Sequence, residues 1–346
     1  MGELADGNKK TFEIVGSVDI RFENRQATVR AVVLLSNDNF LFLNSDRKLI
    51  MRYFLSLYQH STPKYFFSLE KSDYQKGLFI RQKYGIPENA KIVTLHIRES
   101  GYKEYHGAKE SPEGPFKNAT PENYVASIKY LISENYYVVR IGDKYMNRLN
   151  INHPQYIETP FKQYYSDFVD VYFVANSKFM ISSASGPVNL AECFNIPFLA
   201  TNFSANLYLR CWPQNMFLFK QYYSKKLKRE LSYEEILLSP ALYFTTKAHS
   251  DEQDIEMIEN TSEYILLATI EMHRRIEKKL SINNDNIIKL RNHLMIKQRL
   301  ASLVQIPNNT FESFYIPILN FVNNNNFPFC VEYLNRHTDF LGHIWS

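Results

Sequence analysis

The residues best suited to chemistry in this chain stand where a mainly apolar run stops. Residues 91–97 are KIVTLHI, and Arg98, Glu99 and a Ser-Gly turn follow at once. In an extended chain His96 and Arg98 point to the same side. The planar donors of Arg98 suit a diphosphate, and His96 could donate to a phosphate or order a loop. The alternative is that the strand has reached the surface and Arg98 pairs with a nearby acid.

A second polar group lies in a turn of small residues, ISSASGP, at 181–187. A strand followed by such a turn and a helix offers backbone N–H groups to an anion, typically phosphate. Gly186 permits close approach of the backbone, and Pro187 suits a first helical turn. Further donors are the hydroxyls of Ser182, Ser183 and Ser185. The alternative is an ordinary capped turn, because neither the Walker pattern nor G-x-G-x-x-G is present.

Two further segments that carry acidic residues have weaker patterns. Gly142 ends the run YYVVRIG, and Asp143 could contact a ligand or cap the next turn. Asp167 and Asp170 follow Ser166 at a predicted helix start, where first-turn acids are stabilising in any helix. Their spacing and position favour a structural role over a D-x-D metal site. We therefore expect no bound metal.

Strand and helix patterns alternate from residue 91 to about residue 205, which predicts the frame that holds these residues. Expected strands cover 91–97, 136–142, 155–159, 178–183 and 196–201, and expected helices cover 121–134, 166–176 and 188–194. Such alternation is typical of a parallel, doubly wound sheet, whose ligands bind beyond the carboxyl ends of the strands. All the candidate residues from His96 to Gly186 named above, apart from the two helix-start aspartates, fall at such ends.

The flanking parts have other patterns. Before residue 91 we expect β-like runs within 12–44 and helices over 47–60 and 73–84. After residue 203 we expect a short strand within 209–223, and helices over 232–239, 262–280, 286–304 and 311–322. We therefore divide the chain into a reduced N-terminal α/β region (1–90), a Rossmann-like domain (91–205) and a mostly helical C-terminal region (206–346).

Composition excludes several classes of protein. Apolar residues make up 45% of the 346 residues, which supports a packed core. The formal net charge is only +4 and no RNP-like aromatic pattern occurs, so we expect no nucleic acid partner. Three cysteines without C-x-x-C spacing favour a reducing compartment over a disulfide framework or a zinc site. With no apolar leader and no membrane-length apolar run, we expect a cytoplasmic location.

Two basic stretches leave a membrane question open. KKLKRE at 225–230 and HRRIEKK at 273–279 could contact anionic lipid at the inner membrane surface. The alternative is that both are solvated faces, which charge runs usually are.

Taken in order, LHIRESGY, a Thr-Pro-Glu helix start, VVRIGD, ISSASGP and AECFNIPFLATN resemble bacterial glycosyltransferases encoded with surface-polysaccharide genes. The resemblance covers about residues 78–270. More distantly, the chain is similar to GDP-fucose-dependent fucosyltransferases, whose H-x-R-R motif matches residues 96–98. The second arginine of that motif is Glu99 here, which argues against GDP-fucose as the donor.

The resemblance implies a GT-B-like architecture, in which the Rossmann-like domain binds the donor and the N-terminal region serves the acceptor. It implies that Arg98 holds the donor diphosphate, that His96 is its companion and that Glu192 contacts the ribose. Donor-binding roles would also fall to Gly142, Asp143, Ser182, Ser183, Ser185, Gly186 and Pro187. We expect Glu99 to be the general base, with Glu104 and His106 as the alternatives in the same loop.

The expected function is therefore metal-independent transfer of a hexose or deoxyhexose from a nucleotide-sugar to a glycan or lipid-linked oligosaccharide. GT-B enzymes are similar in stabilising the leaving diphosphate with Arg or Lys rather than with a metal ion. Two alternatives stay open at this point. One is a GT-B-type nucleotide-sugar epimerase, and the other is a non-catalytic subunit that binds a nucleotide-sugar.

Overall fold

The computed structural model describes residues 18–22, 25–29, 68–101, 114–204, 215–237, 239, 241, 247–278 and 330–337. The helices predicted over 47–60, 286–304 and 311–322 lie outside these residues, as do Glu104 and His106. Near the N-terminus, β1 (Val18–Phe22) pairs antiparallel with β2 (Arg25–Val29), within the predicted β-like runs.

A six-stranded sheet forms the centre of the described structure. Its strands are β3 (Lys91–His96), β4 (Tyr136–Arg140), β5 (Tyr156–Glu158), β6 (Phe179–Ser182), β7 (Phe198–Phe203) and β8 (Met216–Phe219). They lie in the order β5-β4-β3-β6-β7-β8, and every neighbouring pair is parallel. Counted from β3, this is the 3-2-1-4-5-6 order of dinucleotide-binding sheets. The predicted α/β fold with a parallel sheet is confirmed.

Burial on both faces explains why the strands are apolar without alternation. The four residues of β3 from Ile92 to Leu95 are all buried, and so is every residue of β6 and β7. A parallel sheet has helices on both faces, so an inner strand has no solvent side to favour polar residues. Polar side chains are then left to the strand ends.

Helices and single turns connect the strands. The helices are α1 (Lys71–Lys83), α2 (Gly114–Lys117), α3 (Val125–Ser133), α4 (Asp167–Ala175), α5 (Val188–Cys193), α6 (Tyr233–Leu237), α7 (Lys247–Glu252), α8 (Ser262–Ile276) and α9 (Val331–Arg336). A 3₁₀ turn at Pro121–Tyr124 precedes α3, and another at Thr159–Phe161 follows β5. No helix in these ranges is long and apolar enough to cross a bilayer.

Helices cover the sheet from two sides. The chain steps from β3 to β4 in one direction and from β5 to β6 in the other, so right-handed crossovers place α3 and α4 on opposite faces. The long helix α8 packs on α3, where the Thr269 hydroxyl donates to Ser127 Oγ at 3.0 Å. The helix α1 packs on α4, with Gly77 against the ring of Tyr172.

The part of the chain after residue 205 differs from its prediction. The strand β8 belongs to the main sheet, so the boundary placed at residue 205 runs between two paired strands. A second sheet follows, with β9 (Gln221–Ser224) paired antiparallel to β10 (Arg229–Glu230) and β11 (Ile255–Ile258). Residues 215–258 therefore contain four short strands, where the sequence predicted one short strand within 209–223.

The contact between α1 and α4 yields a stability prediction. A Cβ added at Gly77 would lie 1.9 Å from Cδ2 of the buried Tyr172 ring, so Gly77→Ala forces two packed helices apart. We expect a loss of about 1–3 kcal/mol in the free energy of unfolding, measured by chemical denaturation. Gln75→Ala, at an exposed position of the same helix, is the control and should stay within about 0.5 kcal/mol of wild type. Equal stability of both variants would contradict the packing.

Candidate functional site

The sheet order defines one place where a crevice must open. The strands β3 and β6 are neighbours, yet the chain leaves them toward opposite edges of the sheet, and ligands of open α/β sheets bind at such a switch point. His96, the last residue of β3, is in register with Ser182, the last residue of β6. The motif that contains His96 and the ISSASGP turn, which are far apart in the sequence, therefore meet at one sheet edge.

Hydroxyls and an imidazole form a connected group at this edge. Ser185 Oγ lies 2.7 Å from His96 Nδ1, and Ser182 Oγ lies 3.4 Å from Ser185 Oγ. Ser182 Oγ also donates to the carbonyl of Ser183 at 2.8 Å. The histidine and the serines predicted from separate motifs thus contact each other directly.

Arg98 is tied to the same group through its backbone. Its amide donates to Ser183 Oγ at 2.7 Å, and the Ser183 amide donates to the His96 carbonyl at 3.1 Å. Because the strand ends at His96, these bonds rather than strand alternation position Arg98. Arg98 is only 9% exposed. We call His96, Arg98, Ser182, Ser183 and Ser185 the switch-point cluster.

The turn after β6 adds backbone donors to the cluster. Among the described residues, none accepts a hydrogen bond from the amides of Ala184, Ser185 or Gly186. Successive amides in such a turn make a concave site for an anion. The helix that follows has only six residues, and its N-cap, Pro187, makes no capping bond. At the anion site that the sequence predicts here, the helix dipole would therefore contribute less than the amides and hydroxyls of the turn.

A buried polar network behind the cluster was missed in the sequence. The Tyr124 hydroxyl lies 2.7 Å from Thr201 Oγ1 and accepts from Asn202 Nδ2 at 3.2 Å. Asn202 and Asn260 exchange two hydrogen bonds between side-chain oxygens and backbone amides, at 2.6 and 2.7 Å. Burial raises the pKa of Tyr124 to about 12, so its proton stays in place at neutral pH. These partners come from a 3₁₀ turn, a strand and a loop, which only the tertiary fold brings together.

Glu99 belongs to a different group from the cluster. Arg140 Nη2 contacts Glu99 Oε1 at 2.5 Å, and Arg140 Nη1 contacts Glu158 Oε1 at 2.8 Å. Asn147 donates to Glu99 Oε2 from its amide at 2.9 Å and from Nδ2 at 2.6 Å. Burial raises the pKa of Glu99, against the opposing effects of Asn147 and Arg140. Both carboxylate oxygens are therefore engaged in holding the loops after β3 and β4.

Gly142 and Asp143 lie beyond β4, on the side of β3 away from β6. Asp143 Oδ1 accepts from the Tyr145 amide at 2.7 Å, which is the capping arrangement that the sequence left open. The Gly142 carbonyl accepts from the Tyr165 hydroxyl at 2.5 Å. A Cβ at Gly101 would lie 2.5 Å from the Tyr145 carbonyl oxygen, so a glycine there lets the two loops touch.

The remaining candidates are placed as follows. Glu192 is the fifth residue of α5 and is partly exposed, beyond the turn rather than in it. Asp170 is buried, and its Oδ1 accepts from the Thr159 hydroxyl at 3.0 Å, in keeping with a structural role. Ser166 is the N-cap of α4, but its side chain makes no capping hydrogen bond.

No family model matches the chain, and no curated protein does. Three solved structures are similar to parts of it. E. coli ADP-heptose LPS heptosyltransferase II is 16% identical over 40% of this chain and 41% of its own, with a TM-score of 0.28. A glycosyl transferase of family 9 from Veillonella parvula is 12% identical over 46% and 43%, with a TM-score of 0.31. The dodecameric iron-containing heptosyltransferase TibC, in complex with ADP-D-beta-D-heptose, is 14% identical over 55% and 47%, with a TM-score of 0.30.

The similarity thus spans less than half the length of each of these solved structures. TM-scores this low do not establish a common fold. The function of this chain is therefore inferred from its own geometry and its sequence motifs.

The buried Arg140 network makes a prediction about stability. Arg140→Met removes the cation and leaves Glu99 and Glu158 at a poorly hydrated site, which should cost about 3–5 kcal/mol of unfolding free energy. In this variant the pKa of Glu99, which burial already raises, loses the lowering effect of Arg140 and rises further above the unfolded value. The deficit should therefore be smallest near pH 4–5 and grow toward pH 7, measured by urea unfolding at each pH.

Arg148→Met is the matched control for this experiment, because Arg148 is exposed in the following loop. We expect it to change stability by less than about 1 kcal/mol at every pH. If Arg140→Met were no less stable than this control, the network would not be holding the loops.

Proposed function

We propose that the switch-point cluster binds the diphosphate of a nucleotide-sugar and that the protein is a glycosyltransferase. The observation that carries the proposal is the meeting of His96, Arg98 and the Ser182–Ser185 turn at the switch point of a parallel sheet. That is where open α/β sheets bind nucleotides. The resemblance of the same motifs to bacterial glycosyltransferases supports the choice of reaction.

The chemistry follows from the donors present. When the glycosidic bond to the diphosphate breaks, negative charge grows on the leaving phosphate oxygen. In our proposal the Arg98 guanidinium, the Ser185 hydroxyl and the amides of the turn stabilise that charge. His96 positions Ser185 through the 2.7 Å contact. We propose that transfer needs no metal ion.

We extend the proposal to the acceptor from the resemblance alone. A hexose or deoxyhexose would pass to a glycan or lipid-linked oligosaccharide of a bacterial surface polysaccharide. The reaction would take place in the cytoplasm, with peripheral contact to the anionic membrane through the basic stretches. Gly142, Asp143, Gly186, Pro187 and Glu192 stay donor-binding predictions.

Nucleotide binding is the first test, by thermal shift with UDP, GDP, CDP, ADP and their sugar conjugates. A ligand that binds only the folded state stabilises it by about 2.7 kcal/mol at a concentration one hundred times its Kd. We expect one nucleotide class to raise the Tm of wild type, and Arg98→Ala to lose that shift. The shift should persist in EDTA, because we propose a site without metal.

Arg274→Ala is the matched control, because Arg274 is exposed near the end of α8. It should keep the full nucleotide shift. A wild-type protein that responds to none of these nucleotides would sink the proposal. Tight binding without turnover of any nucleotide-sugar would instead favour the non-catalytic subunit, and an altered sugar without an acceptor would favour the epimerase.

The role of Glu99 needs a separate test, with Glu99→Gln assayed for turnover. Loss of a general base lowers kcat by about 10²–10⁴-fold. Gln keeps the shape and can still accept from Asn147, so we expect the variant to fold. A kcat within tenfold of wild type would assign Glu99 to positioning through Arg140, which is what its hydrogen bonds favour.

A further inference from the structure

A lysine at the carboxyl edge of the sheet is buried, and no carboxylate among the described residues pairs with it. Lys220 connects β8 to β9 and is 6% exposed. Its Nζ makes one long hydrogen bond, 3.4 Å, to the carbonyl of Asn118. An ammonium carries three donors, and a buried one without an anion is costly. The arrangement differs from that of Arg140, another buried cation of this edge, which contacts two carboxylates.

No carboxylate in the described part of the chain lies within ion-pair distance of Lys220. The acid that acts on it electrostatically is Glu259, and this acid is already engaged. One Glu259 oxygen accepts from the Thr120 amide at 2.5 Å, and the other accepts from the Thr120 hydroxyl at 2.9 Å. Burial lowers the pKa of Lys220, as expected of an ammonium that lacks a partner.

Lys220 lines a cavity of about 360 Å³, which is large enough for a small ligand. Two exposed lysines, Lys225 and Lys247, and the Ser250 residue line the same cavity. Two carboxylates are also present at its rim, those of Asp251 and Glu256, and Asp251 is paired with Lys247 at 2.9 Å. Among the described lining residues the rim charges thus cancel, and the unmatched charge is the buried ammonium. The other walls are apolar, formed by Phe116, Ile255 and Met257.

We infer that this cavity, the Lys220 cavity, binds the phosphoryl group of a small organic phosphate. The buried ammonium would meet the phosphate, Lys225 and Ser250 would add donors, and the apolar wall would cover the rest of the ligand. The cavity adjoins the candidate donor site, because Asn118 and Ala119 lie between them. The Asn118 carbonyl accepts from Lys220, and the Ala119 amide donates to the Arg98 carbonyl at 3.0 Å.

The inference does not depend on the proposed glycosyl transfer, and it adds a second anion site on the same sheet edge. If the proposed function also holds, a phosphate carried by the acceptor is the natural occupant. Free phosphate and an organic phosphate share the same chemistry at Lys220. The apolar wall favours the organic form, and the two can be compared directly.

The test is phosphate binding to the full chain, by calorimetry and thermal shift, with inorganic phosphate, glycerol phosphate and acetate at matched ionic strength. We expect both phosphates to raise the Tm of wild type more than acetate does, and glycerol phosphate to bind more tightly than inorganic phosphate. Lys220→Met keeps the length of the side chain and removes the charge. It should lower the affinity for both phosphates at least tenfold while its Tm in acetate equals or exceeds that of wild type.

Two controls assign the binding to this cavity. Lys178→Met changes an exposed lysine at the opposite edge of the sheet and should bind phosphate like wild type. Arg98→Ala should also keep phosphate binding while it loses the nucleotide shift. If Lys220→Met does not fold, Lys225→Met, at an exposed position, should still weaken phosphate binding severalfold.

Three results would overturn the inference. One is a wild-type protein that responds equally to phosphate and acetate. Another is a Lys220→Met variant that folds and binds phosphate within twofold of wild type. The third is phosphate binding that Arg98→Ala abolishes and Lys220→Met keeps, which would place the anion at the switch-point cluster. A wild-type protein that binds phosphate but shows no nucleotide shift would contradict the proposed function and not this inference.

Discussion

The parallel pairing of β3 with β6 is the constraint on which the rest of this structure depends. These two strands are separated by more than 80 residues of chain, and the intervening segment builds β4 and β5 on the far side of β3. Because the chain departs from β3 and β6 toward opposite edges, no helix can cover the gap between their carboxyl ends. His96 and Ser182 end these strands side by side, so polar groups of both motifs contact each other. The proposed nucleotide-sugar site requires that pairing.

Buried charge distinguishes the structural groups of this edge from the candidate ligand sites. Arg140 is fully buried and contacts Glu99 and Glu158, so its cost of desolvation is offset within the protein. Such a group fixes loops. Lys220 is also buried, and its one hydrogen-bond partner among the described residues is a neutral carbonyl. A cation that the protein itself does not neutralise is a reason to expect an anion from outside.

The amino and carboxyl edges of the sheet differ in their contacts. At the amino edge, Lys91 and Tyr136 both contact Glu277, just beyond the end of α8, at 2.6 Å. These two hydrogen bonds lower the pKa of Glu277 to about 2. The contacts anchor the long helix α8 to the starts of β3 and β4. At the carboxyl edge, by contrast, the backbone amides of Ala184, Ser185 and Gly186 have no acceptor among the described residues. Rigid attachment on one side thus accompanies unpaired backbone donors on the other.

The sequence by itself determined the strands β3, β4, β6 and β7, the turn after β6 and the sheet edge at which the candidate residues lie. Doubly buried strands need continuous apolar runs, and strand ends need turn residues, so both can be recognised locally. Only the tertiary structure decided which ends meet. It placed Glu99 with Arg140 rather than with His96, added β8 to the sheet, and buried Lys220 beside Asn118. Each of these depends on contacts between distant segments, whose energies come from burial and charge pairing that no local pattern encodes.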